Sequence, residues 1–386
     1  MPKPRPTETD LGAAVAGAIP QIDRLREAAQ GAPLFLVGGA LRDLLLGCTP
    51  VDFDVAVEGD AAMVAKNLGG EVLEHEPFLT ATTRLGDAQL NLNSTRTETY
   101  TAPGALPEVR PASLAEDLPR RDFTVHAMAW PLQGEGHLID PLAGLTDLRD
   151  GLLRVLHDRS FVDDPTRALR AARYAARLGF ELEPGTAKLI GEADLATVSA
   201  DRRAAELMRL AFEPTAAEGL SLAARWRLFR PRPGAEELLP AADELLSRPP
   251  WDEAPRPRTL LRAARGPEGR EAELAAARPE RPSEAVELAE GCRLEELVLG
   301  RAMGAEWLED YMSTWRDVEL EIDGAELLRA GVPEGPAVGR GLREALHRKL
   351  DGEISGREAE LRVALAAAGD PGTPDGSAGD GGDGVA

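Results

Sequence analysis

The chain has 386 residues, 43% hydrophobic and 28% charged, long enough for two or three domains with cores of their own. Its 44 Lys and Arg stand against 66 Asp and Glu, a formal charge of −22, which excludes a protein that grips nucleic acid through overall basicity; any such contact has to be local. Two cysteines, Cys48 and Cys292, make no disulfide framework, and neither a signal pattern nor an apolar run of membrane-spanning length is present, so reducing cytoplasm is the expected compartment.

Along the chain, residues 1–10 read as disordered and 11–29 (LGAAVAGAIPQIDRLREAA) as a helix broken at Pro20. A strand is predicted from Leu34 to Val37, a helix from Ala40 to Leu46 opened by Gly38-Gly39, a strand from Phe53 to Val57 and a helix from Ala61 to Leu68. Further strands fall near Glu71 to Leu73, Thr82 to Leu85 and Gln89 to Asn93. These make a small α/β head ending near Leu156. From Pro165 onward, Ala/Leu/Arg/Glu stretches of helical period predict an all-helical remainder, cut into short helices by the Pro- and Arg-rich region 229–283, so the fold class is α+β. The end from Gly369, GDPGTPDGSAGDGGDGVA, has no side chains for a core and reads as a disordered acidic tail.

Four blocks carry chemistry. Gly38-Gly39 can bring backbone N–H groups close to a triphosphate at the start of a helix, with Arg42 one turn in as a countercharge, although a lone glycine pair is more often a plain strand-to-helix turn. Asp52 and Asp54 project together from one strand face. Their neighbours Val51, Phe53, Val55 and Val57 are apolar, so the pair reads as a magnesium site rather than as a solvated face. In EDLPRRDFTVHAMAW (116–130), Arg121 and Asp122 suit phosphate and ribose hydroxyls, and Asp122 equally suits a helix cap. In FVDDPTRALRAARYAARLGF (161–180), Pro165 opens a helix on which Arg167, Arg170 and Arg173 recur every three residues, with Asp164 three before Arg167. Such a helix can offer an acceptor and a guanidinium fork to a nucleobase edge, or it can be an amphipathic helix with solvated arginines.

With DPLAGLTDLRDGLLRVL from Asp140, these ordered motifs over residues 33 to about 215 resemble the class II tRNA nucleotidyltransferases, the CCA-adding enzymes, and their bacterial poly(A) polymerase relatives. IDGAELLRAGVPEGPAVGRGLREALHRKLDGE (322–353) is similar to the family's closing segment, its Gly-Val-Pro-Glu-Gly-Pro turn suiting either an RNA backbone or a simple helix connection. The resemblance implies a DNA polymerase beta-like nucleotidyltransferase head followed by an all-helical neck, body and tail. It divides the chain into an extension (1–30), head (31–157), neck (158–215), body and tail (216–368) and acidic tail (369–386). It also implies Asp52 and Asp54 as catalytic, Mg2+-binding carboxylates, and Gly38, Gly39 and Arg42 at triphosphate positions. Arg121 and Asp122 fall on sugar and phosphates, Asp164 with Arg167 on the pair that selects C or A, and Arg170 and Arg173 on the same helix, facing the nucleotide. The implied partners are the tRNA 3′ acceptor end, ATP and CTP, with no membrane and no protein partner.

Three positions depart from the family pattern: His126 where Asn is usual, Asn91 where many relatives carry Asp, and Asp163 where Glu is usual. The segment Arg96 to Pro119 corresponds to the flexible loop of relatives that add the terminal A; its Pro, Gly and Ser content suits a mobile connection and favours A addition. The expected activity is template-independent addition of C and A to tRNA 3′ ends. An A-only, CC-only or poly(A) enzyme and a catalytically quiet RNA-binding homologue stay open, and no phosphohydrolase motif follows the neck.

Overall fold

The computed structural model describes residues 11–369 apart from positions 20, 51, 70, 76, 77, 86, 87 and 135, so the stretches expected to be disordered, 1–10 and nearly all of the acidic tail, lie outside the described residues. The chain forms two compact units, 1–232 and 233–386.

The first unit is organised by a sheet in the order β3-β4-β5-β2-β1-β8. Its strands are β1 (Leu34–Val37), β2 (Asp52–Val57), β3 (Leu73–His75), β4 (Thr80–Leu85), β5 (Ala88–Ser94) and β8 (Ala129–Pro131). Leu34, Leu36, Val37, Val55 and Val57 are fully buried, as expected for strands covered on both faces. β1 runs antiparallel to β2 and to β8, and the register Val37↔Asp54 sets Asp54 beside the last residue of β1. β2 runs parallel to β5, which places Asp52 opposite Gln89 and Asp54 opposite Asn91.

The helix Gly38–Leu45 begins directly where β1 ends. Gly38 has φ +67°, and a Cβ there would lie 3.2 Å from Asp54 Oδ2, so both its backbone and its neighbour favour glycine. Of the residues 1–30 expected as an extension, the described helices pack on this core. Helices Leu11–Ala18 and Ile22–Ala28 bury Leu11, Val15 and Leu25, and the second packs on Ala61–Leu68.

The segment expected to be a mobile connection is ordered. β6 (Arg96–Thr99) and β7 (Glu108–Pro111) form an antiparallel hairpin, followed by the helix Leu114–Asp117 with a Ser113/Glu116 capping box. Pro103, Gly104 and Pro107 sit in the hairpin turn, Pro111 ends β7, Pro119 lies in the short helical turn Leu118–Arg120, and Ser113 is the cap. Composition alone does not distinguish a tight turn from a loose loop.

Helix Thr166–Leu178 buries Ala168, Leu169, Ala171 and Ala172 against Ala200–Ala211 and Ala216–Arg225. These two helices lie in the first unit, so its compactness runs past the expected neck boundary at 215.

Among the described residues the elements of the second unit are all helical, and its Pro-rich start is built from short helices such as Ala235–Leu245 and Arg256–Arg265. Its end pairs Pro336–Leu350 with Arg357–Gly369 around Leu327, Ala345 and Ala364; a Cβ on Gly341 would meet Ala364 O at 2.5 Å, so only glycine permits this approach. Among the described residues no helix is long and apolar enough to cross a membrane.

Candidate active site

Asp52 stands exposed at the first position of β2, whereas Asp54, two residues on, is largely enclosed. Burial pushes the Asp54 carboxyl above its usual range, against the pull of the Arg121 guanidinium and of the Asn91 amide, which donates to Oδ1 at 3.3 Å. A largely enclosed carboxylate with a raised pKa beside a more exposed one is a donor set that a divalent cation relieves, and magnesium takes only a few protein carboxylates along with water and phosphate oxygens. Among the described residues no cluster of three or more His, Cys, Asp or Glu is arranged for a metal, so this pair is the protein's candidate, with Asn91 offering a neutral group where a third carboxylate would stand.

Two neighbouring cavities lie here, the first of which reaches Asp54. One of about 240 Å³ is walled by Gly38, Gly39, Asp54, Arg121 and His126. The other, of about 340 Å³, is walled by Glu98, Tyr100, Asp164, Arg167 and Arg202. Arg120, Asp122 and Arg170 line both, so the cavity at the glycine turn and the one at helix Thr166–Leu178 are neighbours and together make an arginine-walled polar recess.

The arginines are fixed before any ligand arrives. Asp117, 1% exposed, takes Nε and Nη2 of Arg121 at 3.1 and 2.8 Å, Nε and Nη2 of Arg120 at 2.9 and 2.6 Å, and the N–H of Arg96 at 3.1 Å. Burial works against this carboxylate, yet Arg121 and Arg120 together hold it below its usual range. Arg121 Nη1 is thereby aimed toward the glycine turn, 3.7 Å from where a Gly38 Cβ would be.

Asp122 is equally committed. Oδ1 accepts from His126 Nδ1 at 2.8 Å and from Phe123 N at 2.9 Å, and Oδ2 accepts from Arg170 Nε at 2.8 Å and Nη2 at 2.5 Å. Despite full burial, Arg170 and His126 hold its carboxyl well below the usual range. Where the resemblance implied a carboxylate open to a ribose, all of its acceptor positions are filled from within.

Arg42 is 2% exposed, with Nε and Nη2 on Asp43 at 2.9 and 2.6 Å and Nη1 on His126 Nε2 at 2.5 Å. It lines neither cavity and is packed behind the glycine turn. Arg173 lines neither as well; it bonds Glu213 at 3.2 Å and stacks 4.4 Å from the Tyr174 ring centroid. Tyr174 lies under three guanidinium groups, with Arg42 and Arg170 at 5.4 and 5.6 Å. The helix arginines are thus not the solvated face that the block read in isolation allows.

Asp164 Oδ1 caps Thr166 N at 3.1 Å and accepts from Arg202 Nη2 at 3.1 Å, while Arg167 donates to Ser160 Oγ and to Arg120 O, both at 2.8 Å. Asp117, Tyr174 and Arg202 are site-shaping residues that the motif reading passed over. Asp117 was visible as a second acid before the arginine pair, and Tyr174 as the one aromatic among the helix arginines; Arg202 had no local signal.

A paired-carboxylate strand, a glycine turn leading into a helix, and a recess walled by arginines define a nucleotidyltransferase head. Residues 34–154 match the family described as the Poly A polymerase head domain. The chain is 34% identical over 361 residues to the CC-adding tRNA nucleotidyltransferase of Deinococcus radiodurans, covering 89% of this chain and 92% of that protein. The A-adding tRNA nucleotidyltransferase of Halalkalibacterium halodurans is 44% identical over 193 residues, 47% of this chain and 45% of that protein. The chain spans about half or less of the length of the A-adding relatives it matches. The Thermotoga maritima CCA-adding enzyme complexed with tRNA_CCA superimposes with a TM-score of 0.75 at 25% identity, covering 92% of this chain and 98% of that one. The chain belongs to the class II tRNA nucleotidyltransferases.

Proposed function

We propose that this protein adds C and A to the 3′ end of tRNA, using CTP and ATP with Mg2+ held by Asp52 and Asp54. The observation that carries this reading is the pair of neighbouring cavities, one at Asp54 and the glycine turn and one at Asp164 and Arg167, that share Arg120, Asp122 and Arg170 in their walls. When bound, Mg2+ supplies charge neutralisation for the triphosphate and lowers the pKa of the attacking hydroxyl. Gly38 and Gly39 present backbone N–H groups to phosphate at the helix start. Arg121 and Arg170, held rigid by Asp117 and Asp122, neutralise negative charge without having to reorganise. Asp164 supplies an acceptor and Arg167 a donor, a set that suits C and A, each of which presents an amino group beside an unprotonated ring nitrogen. The cytoplasm is the compartment this reading implies.

A second reading, addition of A alone, is favoured by the 44% identity over 193 residues to an A-adding relative. Transcripts ending before CCA, after C and after CC, and an unrelated RNA, are each incubated with labelled CTP or ATP and magnesium. Incorporation of C then A is expected. Labelling from ATP alone, on the CC end alone, would establish the second reading, and extension of the unrelated RNA would make the protein a poly(A) polymerase.

A further inference from the structure

His126 stands where two charged chains of contact meet. It is 5% exposed, on the short helical turn Thr124–His126 that lies against the glycine-turn helix. Nδ1 faces Asp122 Oδ1 at 2.8 Å and Nε2 faces Arg42 Nη1 at 2.5 Å. A carboxylate only accepts and a guanidinium only donates, so the proton has to be on Nδ1 and Nε2 has to be bare. The imidazole is therefore neutral and of one tautomer, with the Tyr174 ring edge-on at 4.4 Å. Through Asp122 it continues to Arg170, which lines both cavities, and through Arg42 to the helix that carries the glycine turn.

We infer that His126 is a positioning residue for nucleotide binding: as a donor to Asp122 and an acceptor from Arg42, it locks the Arg170 guanidinium and the glycine-turn helix into one fixed spacing across the recess. The inference rests on the nucleotidyl-transfer reading above and deepens it. An asparagine, usual at this position in the family, has the length for one of these two partners and not for both, so the two-sided lock depends on the imidazole. Neutrality is consistent with its surroundings. Burial pushes the imidazole pKa down to about 4, with Arg42 and Arg170 adding to that push, and it outweighs the opposing pull of Asp122.

Three substitutions separate the two contacts. His126→Asn keeps a donor near the Nδ1 position, His126→Gln keeps an acceptor near the Nε2 position, and His126→Phe keeps the ring volume with neither. For the full-length protein, His126→Phe is expected to raise KM for ATP and CTP by about tenfold and to weaken magnesium-ATP binding in a calorimeter by the same factor. The expected kcat at saturating nucleotide stays within about twofold, and the Asn and Gln variants fall between. A purely structural role would instead reduce kcat and the active fraction with KM unchanged. In 15N-histidine NMR spectra the residue should keep a bare Nε2 and a protonated Nδ1 from pH 8 to pH 5.

A folded His126→Phe with wild-type KM and nucleotide affinity overturns the inference, as does an imidazolium signal at pH 6. If the Phe variant does not fold, wild-type values in both the Asn and Gln proteins overturn it equally. Absence of incorporation by the wild type would sink the enzymatic reading instead, leaving the calorimetric and NMR arms to decide the role of His126.

Discussion

Replacing Asp117 tests the idea that the site's cations are held in place before substrate arrives. Its carboxylate accepts from two guanidinium groups and one backbone N–H in a setting 1% exposed to solvent. Taking one partner out of a buried ion cluster costs about 3–5 kcal/mol, because the charges left behind stay desolvated. Arg120 keeps Glu98 at 2.7 Å and Arg96 O at 3.0 Å, and Arg121 is 14% exposed, so Asp117→Ala should fall near the lower end, about 3 kcal/mol. Asp117→Asn keeps one acceptor oxygen and should lose about 1–2 kcal/mol. Urea denaturation at pH 7.5, with m-values compared, measures both.

The same contact sets a pH signature. The folded carboxyl titrates below its unfolded range, so between those two values the unfolded chain binds the extra proton. Stability from Asp117 is fully present above about pH 4 and is lost as pH falls through the folded pKa. The gap between wild type and Asp117→Asn should therefore be level at neutral pH and close on acidification below about pH 4. A loss under about 1 kcal/mol for the alanine variant, or a gap that widens in acid, would refute the reasoning.

Other outcomes follow from the same geometry. Asp52→Ala and Asp54→Ala should each abolish nucleotide incorporation, as should excess EDTA, while melting temperatures stay near wild type for exposed Asp52; turnover in the double variant would reject the metal assignment. Asn91→Asp replaces the amide donor beside Asp54 with a carboxylate, so it should tighten magnesium binding and destabilise the metal-free protein by about 1 kcal/mol or more, seen by calorimetry and melting with and without magnesium. Gly104→Ala should destabilise by about 1–3 kcal/mol and increase proteolysis at the hairpin, since φ is +70° and the added Cβ would meet the Thr197 backbone at 2.8 Å. A silent Gly104→Ala would mean that the hairpin does not dock there.

Much of this protein was legible in one dimension because its signals are local. Alternating acids in an apolar strand fix Asp52 and Asp54 to one face, a glycine pair after β1 opens a helix, and helical periodicity after Pro165 gives a helical second half. Two readings fell short for reasons of the same kind. The segment 96–119 reads as a mobile connection because turn residues look alike whether or not a ladder closes behind them, and the apolar face of residues 11–28, inside the expected extension 1–30, does not say what it packs on.

The sequence by itself determined which residue types reach the site: paired carboxylates, glycines at a strand end, and the arginines of three separate motifs. Only the tertiary structure decided which of those arginines face the recess and which serve as braces, with Arg121 and Arg170 lining it while Arg42 and Arg173 are packed around Tyr174. It also decided that Asp122 and His126 are committed to other side chains. The physical reason is that a side chain's type is a property of the chain, whereas the partner that satisfies a buried charge comes from segments far apart in sequence, here 48 residues apart for Asp122 and Arg170 and 84 for Arg42 and His126.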